Sequence, residues 1–340
     1  MLRAAYPADR LGMPIALRTS AIGLAAAAGP LVGGALTTHL GWRAVFFLGV
    51  APALLVGLLA LAVRLPEPTR QVGLDLPGAV LLALTLACLV HTLTGLPSPS
   101  WPSIALGTAA AALFVRHERR TPDPLLPVGV LGPAAAGPAL GVLVGASAAM
   151  FGTLFLATYF LQDVLGLDPL SSGLRGLPLA VLMVLASPAA AVLMRRHGAR
   201  RVTTSGLLLI GLGILLLARL DRSSGWYDTT PGFLLLGAGF GTVMVTATAV
   251  IVRRAALGAS GVAGGLQQTA MNLGPTLGIT TATTMTTLGL ATGPALLAFA
   301  ALAIVTAVVL ASRLPASTDC QVVPVVSPRG RAVPPAGTAS

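Results

Sequence analysis

Residues 255–312 read AALGASGVAGGLQQTAMNLGPTLGITTATTMTTLGLATGPALLAFAALAIVTAVVLAS, a stretch without Asp, Glu, Lys or Arg. A single helix of that length would be roughly 87 Å long, whereas the hydrocarbon core of a bilayer is only ~30 Å thick. GLATGP at 289–294 is a turn signal inside the stretch. The stretch therefore predicts two membrane-spanning helices joined by a short turn.

Uncharged stretches of the same kind follow one another along the chain. About 20 apolar residues cross a bilayer once as a helix. The stretch at 76–115 is twice as long, and LPSPSWP at 96–102 breaks it, because three prolines in seven residues end a helix. The sequence thus predicts ten membrane helices, of which the fourth, near 103–115, is short and the ninth, near 262–288, is polar. The remaining uncharged stretches are 19–42, 44–63, 124–162, 176–194, 202–218 and 229–252.

The composition indicates the same class of protein. Hydrophobic residues make up 55% of the chain and charged residues 9%, and the mean hydropathy is +0.88. A soluble domain is about a quarter charged, because water must solvate its surface. Lipid must therefore cover most of this surface, so the lipid bilayer is the first predicted partner.

The basic residues exclude several chemistries, because all 21 are arginines. A P-loop needs a lysine to reach the nucleotide phosphates, so we expect no ATP hydrolysis by this chain.

Cys88 and Cys320 are too few and too differently placed for a disulfide framework or a thiolate metal site. No His-Glu-x-x-His, Gly-x-Ser-x-Gly or pair of intramembrane carboxylates indicates an enzyme, and we expect neither a cofactor nor a metal.

The arginines also predict an orientation, because arginines in short loops stay on the cytoplasmic side. With the N-terminus inside, 17 arginines lie on the inner side and four, Arg43, Arg175, Arg219 and Arg222, on the outer side. This predicts a multi-pass protein of the cell membrane with both termini in the cytoplasm. It requires that 124–138, with its four prolines, be a cytoplasmic or interfacial linker. Because the arginines come in small groups between apolar runs, we expect no nucleic acid partner.

The first predicted helix, AIGLAAAAGPLVGGALTTHLGW at 21–42, carries Gly29, Pro30, Gly33 and Gly34. These residues remove side-chain bulk and one backbone donor, so a neighbouring helix can approach closely and the axis can bend. Generic helix packing would explain them alone. Together with the GWRAVFF that follows, they resemble the antiporter motif of the major facilitator superfamily. More narrowly, they are similar to the fourteen-span drug:proton antiporters of the EmrB/QacA type.

The resemblance continues in order from about Arg10 to Arg313. DLPGAVLLALTLACLVHTLTG, PLLPVGVL, ATYFLQDVLGLDPLSSGLRGLP, GFLLLGAGFGTV and GLQQTAMNLGPTLG resemble successive segments of that family. The register implies that the ten helices correspond to spans five to fourteen and that the first four are absent. Met271 stands where the family often has an arginine, so we expect substrate contacts there to differ.

RRHGARR resembles the cytoplasmic loop motif of the superfamily's C-terminal half, but an arginine occupies its acidic position. The loss of that carboxylate removes the usual charge pairing of the loop with a neighbouring helix. The motif residues are Arg195, Arg196, Gly198, Arg200 and Arg201.

The implied fold is an all-α integral membrane protein of the major facilitator type, N-terminally incomplete. Residues 1–65 correspond to a remnant of the N-terminal bundle with two helices, and 66–136 to two linker helices and a cytoplasmic loop. Residues 137–312 correspond to a C-terminal six-helix bundle, and 313–340 to a disordered cytoplasmic tail.

Polar residues recur on one side of the ninth helix. They are costly in a membrane unless they face a bundle interior or a water-filled path, so they indicate a substrate cavity. The alternative is interhelical hydrogen bonding, at ~0.6 kcal/mol per contact. Gly274, Pro275 and Gly278 are expected to let this helix pack tightly or bend. The polar residues are Gln268, Asn272, Thr276, Thr280, Thr283 and Thr287.

Phe151, Phe155, Tyr159 and Gln162 form a similar stripe on the fifth helix. Tyrosine at this depth is often an interface anchor, but next to Gln162, which matches a residue common in the family, it indicates the same cavity. Aromatic faces suit flat, often cationic compounds. His91 of the third helix is ionisable, and it is interpreted as an outer-interface residue in preference to a proton carrier.

The sequence leaves two functional hypotheses. The first is a secondary transporter that exports small hydrophobic or cationic drug-like compounds against inward proton flow, so its partners are the substrate and protons. The second is a non-transporting membrane remnant or an assembly partner of another chain, because no carboxylate lies at mid-membrane in this chain. The resemblance implies that the coupling carboxylate belongs to the absent first spans.

Reporter tags fused after residues 97 and 198 test the topology. Residue 97 lies between the third and fourth predicted helices and residue 198 between the sixth and seventh. The two tags should report opposite compartments, because an odd number of crossings separates them. Tags that report the same compartment would contradict the ten-helix arrangement.

Overall fold

The structure, a computed structural model, describes residues 29, 32–62, 75–95, 98, 100–121, 136–254 and 260–314. Pro30, most of the predicted linker at 124–138 and the predicted tail beyond Leu314 lie outside these residues. The described chain is almost entirely helical. Its helices are α1 (residues 32–40), α2 (Arg43–Ala62), α3 (Leu76–Thr94), α4 (Trp101–Glu118), α5 (Gly137–Tyr159), α6 (Pro169–His197), α7 (Ala199–Leu217), α8 (Trp226–Arg254), α9 (Ser260–Thr287) and α10 (Thr292–Val309).

The predicted all-α membrane architecture is confirmed. Six of the helices are long and apolar enough to cross a membrane by length and composition, namely α2, α5, α6, α7, α8 and α10. A five-residue π-helical turn, Phe160–Val164, extends α5. α3 is a shorter apolar helix, and α4 and α9, expected to be short and polar respectively, are not among the six.

The two predicted turns separate helices as expected. α9 ends at Thr287 and α10 begins at Thr292, with Gly289 at φ +77° in the connection. This φ lies in the left-handed region, where glycine carries no steric cost. The proline-rich segment separates Thr94 of α3 from Trp101 of α4.

α6 starts earlier than its uncharged stretch suggests, at Pro169 instead of 176, and so contains Arg175. The reason is the N-cap, since Asp168 accepts hydrogen bonds from the backbone N–H groups of Leu170 and Ser171 at 3.1 and 3.2 Å. Hydrogen bonding from Ser171 is the main cause that lowers the pKa of Asp168 below its usual value. A charge map therefore finds the apolar part of a helix but not its capped end.

Helices α5 to α10 form one bundle. α8 packs along both α6 and α7, α9 packs along α5, and α10 bridges α5 and α7. Side chains buried between these helices form a continuous core. The largest fully buried ones include Phe233, Leu143, Leu156, Leu207, Ile210, Ile214, Leu236 and Leu296.

Glycines on two sides of α8 set its distance from its neighbours. A β-carbon on Gly241 would lie 2.5 Å from the carbonyl oxygen of Met183 in α6, and one on Gly239 would lie 2.5 Å from that of Gly206 in α7. Gly237 contacts the carbonyl oxygen of Leu179 even more closely. Small residues let the backbones of membrane helices approach, which increases their van der Waals attraction. α8 is thus the central element of this half of the bundle.

α3 and α4 form a helical hairpin, and α3 also contacts α9 of the bundle. Beside the connection between α3 and α4, Thr92 Oγ1 and Ser103 Oγ are hydrogen-bonded at 2.9 Å. At the other end, Asp75 Oδ1 lies 2.8 Å from His117 Nε2 and accepts the backbone N–H of Gly78 at 3.0 Å. The hydrogen bond from Gly78 first, and then the one with His117, lowers the pKa of Asp75. A polar contact therefore closes the hairpin at each end.

α2 differs from the bundle helices, because its apolar segment has no residue buried within the described chain. Leu61, for example, is exposed to 86%. Such a surface is stable only against lipid or against other apolar helices.

Gly237→Ala tests the close contact between α8 and α6. The new methyl group would meet the backbone carbonyl of Leu179, which cannot rotate away, so we expect a loss of about 1–3 kcal/mol in stability. Gly176→Ala on α6 is the matched control, because nothing lies within 4 Å of a β-carbon there. Thermal unfolding of the detergent-solubilised protein measures both, and equal midpoints would contradict the packing of α8.

Candidate functional site

The polar residues of α9 lie on the side of the helix that faces away from α5. Ala270 and Ala282 are buried, whereas Gln268, Asn272 and Thr283 are exposed. At 100° per residue the polar positions centre about 150° around the helix from Gly274 and Gly278, which lie against α5. Thr276 is half-buried, Thr287 is exposed and Thr280, at the edge of the set, is buried. We call the exposed and half-buried residues Gln268, Asn272, Thr276, Thr283 and Thr287 the polar stripe.

The opposite side of α9 packs tightly on α5. Gly274 contacts Ser147, and Gly278 contacts the backbone carbonyl of Ala148. The prediction that these glycines allow close packing is confirmed. The contact also fixes the rotation of α9, because a side chain at either position would collide with α5, and so it decides which way the polar stripe faces.

The hydrogen bonds of the polar stripe stay within α9. Thr276 Oγ1 donates to the carbonyl of Asn272 at 2.9 Å, Thr283 Oγ1 to that of Ile279 at 2.9 Å, and Thr287 Oγ1 to that of Thr283 at 2.8 Å. Gln268 Nε2 donates to Asn272 Oδ1 at 3.4 Å. Within the described chain these side chains make no hydrogen bond to another helix.

Gln267, which the sequence pattern did not single out, makes the interhelical bond instead. Its Nε2 donates to Thr248 Oγ1 of α8 at 2.8 Å. Gln267 and Gln268 are adjacent, and therefore point about 100° apart on the helix. The sequence shows two amides, but only the neighbouring helices decide which one is structural.

The aromatic residues of α5 are more deeply packed than the polar stripe. Phe151 lies edge-on to Phe240 of α8, with ring centroids 6.3 Å apart and planes at 86°. Phe155 also packs against the core, Gln162 lies half-buried in the π-helical turn, and Tyr159 is 43% exposed. The π-helical turn has a wider spacing than an α-helix, and the sequence pattern did not predict it.

The two sets of residues lie at different heights in the bundle. α5 and α9 run in the same direction, with Gly278 beside Ala148. Phe151 is three residues beyond Ala148, while Asn272 is six residues before Gly278, so the two are separated by about 13 Å along the helix axes. A single compact cluster of all the predicted residues is therefore not formed by the described chain, and within the polar stripe Thr283 lies closest to the level of Phe151.

The predicted antiporter motif contributes one close contact. A β-carbon on Gly34 would lie 3.0 Å from the Cα of Leu170 and from the carbonyl oxygen of Pro169, at the start of α6. Nothing lies within 4 Å of the corresponding positions on Gly29 and Gly33. In the described residues, Gly34 is therefore the motif position that joins α1 to the bundle.

Charged groups of the bundle lie near the helix ends. Asp163 is exposed after α5, Asp168 caps α6, and Asp221 accepts hydrogen bonds from Ser223 that lower its pKa. Arg175 lies inside α6, and its Nη1 is buried without a hydrogen-bond partner in the described residues. The charge map placed Arg175 outside the helix, so sequence reasoning missed it as a candidate for the site.

The predicted loop motif forms the connection between α6 and α7. Gly198 alone separates the two helices and has φ +82°, a conformation that a side chain would strain. The four arginines of the loop motif are all exposed. The motif is thus a tight turn at the end of the bundle.

Comparison with known proteins gives consistent matches. A family profile described as Major Facilitator Superfamily matches residues 1–279. The tetracenomycin C resistance and export protein of Streptomyces glaucescens is 37% identical over 289 residues, which cover 82% of this chain and 53% of that protein. The multidrug efflux pump LfrA of Mycolicibacterium smegmatis is 29% identical over 283 residues, covering 81% and 56%. The puromycin resistance protein pur8 of Streptomyces alboniger is 32% identical over 274 residues, covering 77% and 54%. This chain spans about half the length of these relatives.

Cysteine accessibility tests whether the polar stripe faces water. In a Cys88→Ala, Cys320→Ser background, Asn272→Cys should react with a membrane-impermeant maleimide at least about tenfold faster than Ala282→Cys, which is fully buried, because only a hydrated thiol ionises. Val305→Cys on α10 is the control for lipid exposure, since Val305 is exposed on an apolar helix. If Asn272→Cys reacts no faster than Val305→Cys, the polar stripe does not line a water-filled cavity.

Proposed function

The chain belongs to the major facilitator superfamily, and from this premise we propose that it acts as a secondary transporter that exports hydrophobic or cationic drug-like compounds. Its subtype would be the fourteen-span drug:proton antiporters. Membership of a transporter family sets it apart from enzymes. The names of the relatives, which are resistance, export and efflux proteins, support export over the alternative of a non-transporting membrane protein.

The exposed polar stripe on α9 carries the proposal. Amide and hydroxyl groups that face lipid are costly, so a polar surface on a membrane helix is expected to face water, substrate or other protein. Because α9 is fixed against α5 through Gly274 and Gly278, the stripe keeps one orientation. We assign Gln268, Asn272 and Thr276 to the polar part of the substrate path.

The aromatic residues of α5 would supply the apolar part of the same path. Phe151 and Phe155 are half-buried and Tyr159 is exposed, so their rings leave surface for a flat compound. The faces of aromatic rings also attract cations. With about 13 Å between Phe151 and Asn272 along the axis, an elongated path fits these residues better than a single compact pocket.

Alternating access requires parts that move as units. The glycine contacts of α5 with α9, and of α8 with α6 and α7, would make 137–312 one such unit, because close-packed backbones do not deform gradually. Proton coupling forms part of the proposal, and the family resemblance assigns its carboxylate to spans before those that this chain resembles. The proposed location is the cell membrane, with both termini in the cytoplasm.

Accumulation of ethidium, an aromatic cation, in cells that express the chain tests the proposal. We expect lower accumulation than in cells with an empty vector and, for Asn272→Ala, an export rate reduced about fivefold, because one lost hydrogen bond to substrate costs ~1 kcal/mol. Thr281→Ala is the matched control, because Thr281 is exposed on α9 outside the polar stripe. A protonophore should abolish the export.

The outcomes separate the parts of the proposal. Accumulation equal to that of empty cells would contradict export by this chain. Export that persists with a protonophore would contradict proton coupling alone. An equal effect of both α9 substitutions would contradict the role of the polar stripe.

A further inference from the structure

A cavity of about 870 Å³ opens at the α6–α7 turn, where the end of α10 meets the start of α7. Arg196, Arg200 and Arg201 line it, together with the hydroxyl groups of Thr204, Ser205 and Ser312. We call it the arginine cavity. It lies away from the polar stripe and plays no part in the proposed substrate path.

The arginines of this cavity have no acidic partner in the described chain. None of the three guanidinium groups forms an ion pair or a side-chain hydrogen bond with a described residue. The carboxylates of 137–314 are Asp163, Asp168, Asp221 and Asp228, all beside helix ends at the opposite end of the bundle. The hydroxyl groups of Thr204, Ser205 and Ser312 already donate to backbone carbonyls. The cavity therefore has an excess of positive charge, and the N–H groups of its three guanidinium groups are the donors that can hold an anion.

The start of α7 adds to this preference. Gly198 occupies its N-cap, and no side chain caps the helix. The first N–H groups of a helix are without intrahelical partners, and the helix dipole favours negative charge there. Arg200 and Arg201 lie in this first turn.

One wall of the cavity is apolar and continues along the outside of the bundle. Leu208 of α7 and Val308 of α10 line the cavity and are exposed to 49% and 66%. Leu212 and Val305, one turn further along each helix, are exposed as well. A free inorganic anion gains no hydrophobic stabilisation from this apolar surface, whereas an acyl chain is stabilised when it buries the surface.

We propose that the arginine cavity binds the headgroup of an anionic phospholipid. The phosphate lies against Arg200 and Arg201, and an acyl chain lies along Leu208 and Val308. No described residue of the cavity carries a carboxylate. This disfavours choline and ethanolamine headgroups, because the arginines would repel their positively charged nitrogen. In other membrane proteins, basic pockets between transmembrane helices bind the headgroups of anionic lipids.

Native mass spectrometry of the full chain in detergent tests this assignment. With phosphatidylglycerol and phosphatidylcholine added in equal amounts, the protein should retain phosphatidylglycerol about tenfold more, and Arg200→Gln/Arg201→Gln should remove this preference. Arg219→Gln/Arg222→Gln is the matched control, because it removes the same charge from the α7–α8 connection at the other end of the bundle. This control variant should retain the preference of the unmodified chain for phosphatidylglycerol over phosphatidylcholine.

Two further measurements distinguish the source of the phosphate group and guard against misfolding. Inorganic phosphate should displace the lipid only in large excess, and displacement at equimolar phosphate would overturn the lipid assignment. Leu208→Gln/Val308→Thr, at exposed positions, should weaken phosphatidylglycerol binding severalfold without changing the thermal midpoint. Equal retention of the two lipids by the unmodified chain, or equal loss in both arginine variants, would overturn the proposal.

Discussion

The close approach of helix backbones is the contact on which the rest of this structure depends. Between helices in lipid there is little hydrophobic driving force, because lipid tails are as apolar as leucine side chains, so association relies on van der Waals contact. Gly237, Gly239 and Gly241 bring α8 against α6 and α7, and Gly274 and Gly278 bring α9 against α5. Each contact fixes a rotation as well as a distance. The direction of every other side chain on these helices follows from it.

α9 shows how this constraint produces a candidate site. Its hydropathy alone does not mark it as a membrane span, yet it packs along α5 through Gly274 and Gly278 and leaves the polar stripe on the other side. The hydroxyls of Thr276, Thr283 and Thr287 return to their own backbone, which lowers the cost of placing them in a membrane. The amides of Gln268 and Asn272 bond only weakly to each other. Within the polar stripe they are the groups with most hydrogen-bonding capacity left.

The sequence predicted the features that charge, proline and glycine determine locally. The break at LPSPSWP, the turn at GLATGP and the tight packing of Gly274 and Gly278 are all present. It did not predict the features that depend on a neighbouring helix or on a cap. Asp168 extends α6 past Arg175, Gln267 and not Gln268 bonds to α8, and Phe151 lies against Phe240. Residue spacing along one helix cannot predict the last two contacts, because their partners lie on other helices, 19 residues away for Gln267 and 89 residues away for Phe151.

α7 combines three environments on one helix, and their separation has a structural reason. Gly206 and Gly213 face α8, Leu208 and Leu212 face outward, and Arg200 and Arg201 lie at its start. The glycine contacts fix the rotation of α7, so its exposed leucines and its first-turn arginines stay on the surface shared with α10. A substitution at a leucine or an arginine can therefore change what binds at this surface without moving the helix. A substitution at Gly206 or Gly213 would move α7 itself and alter both surfaces together.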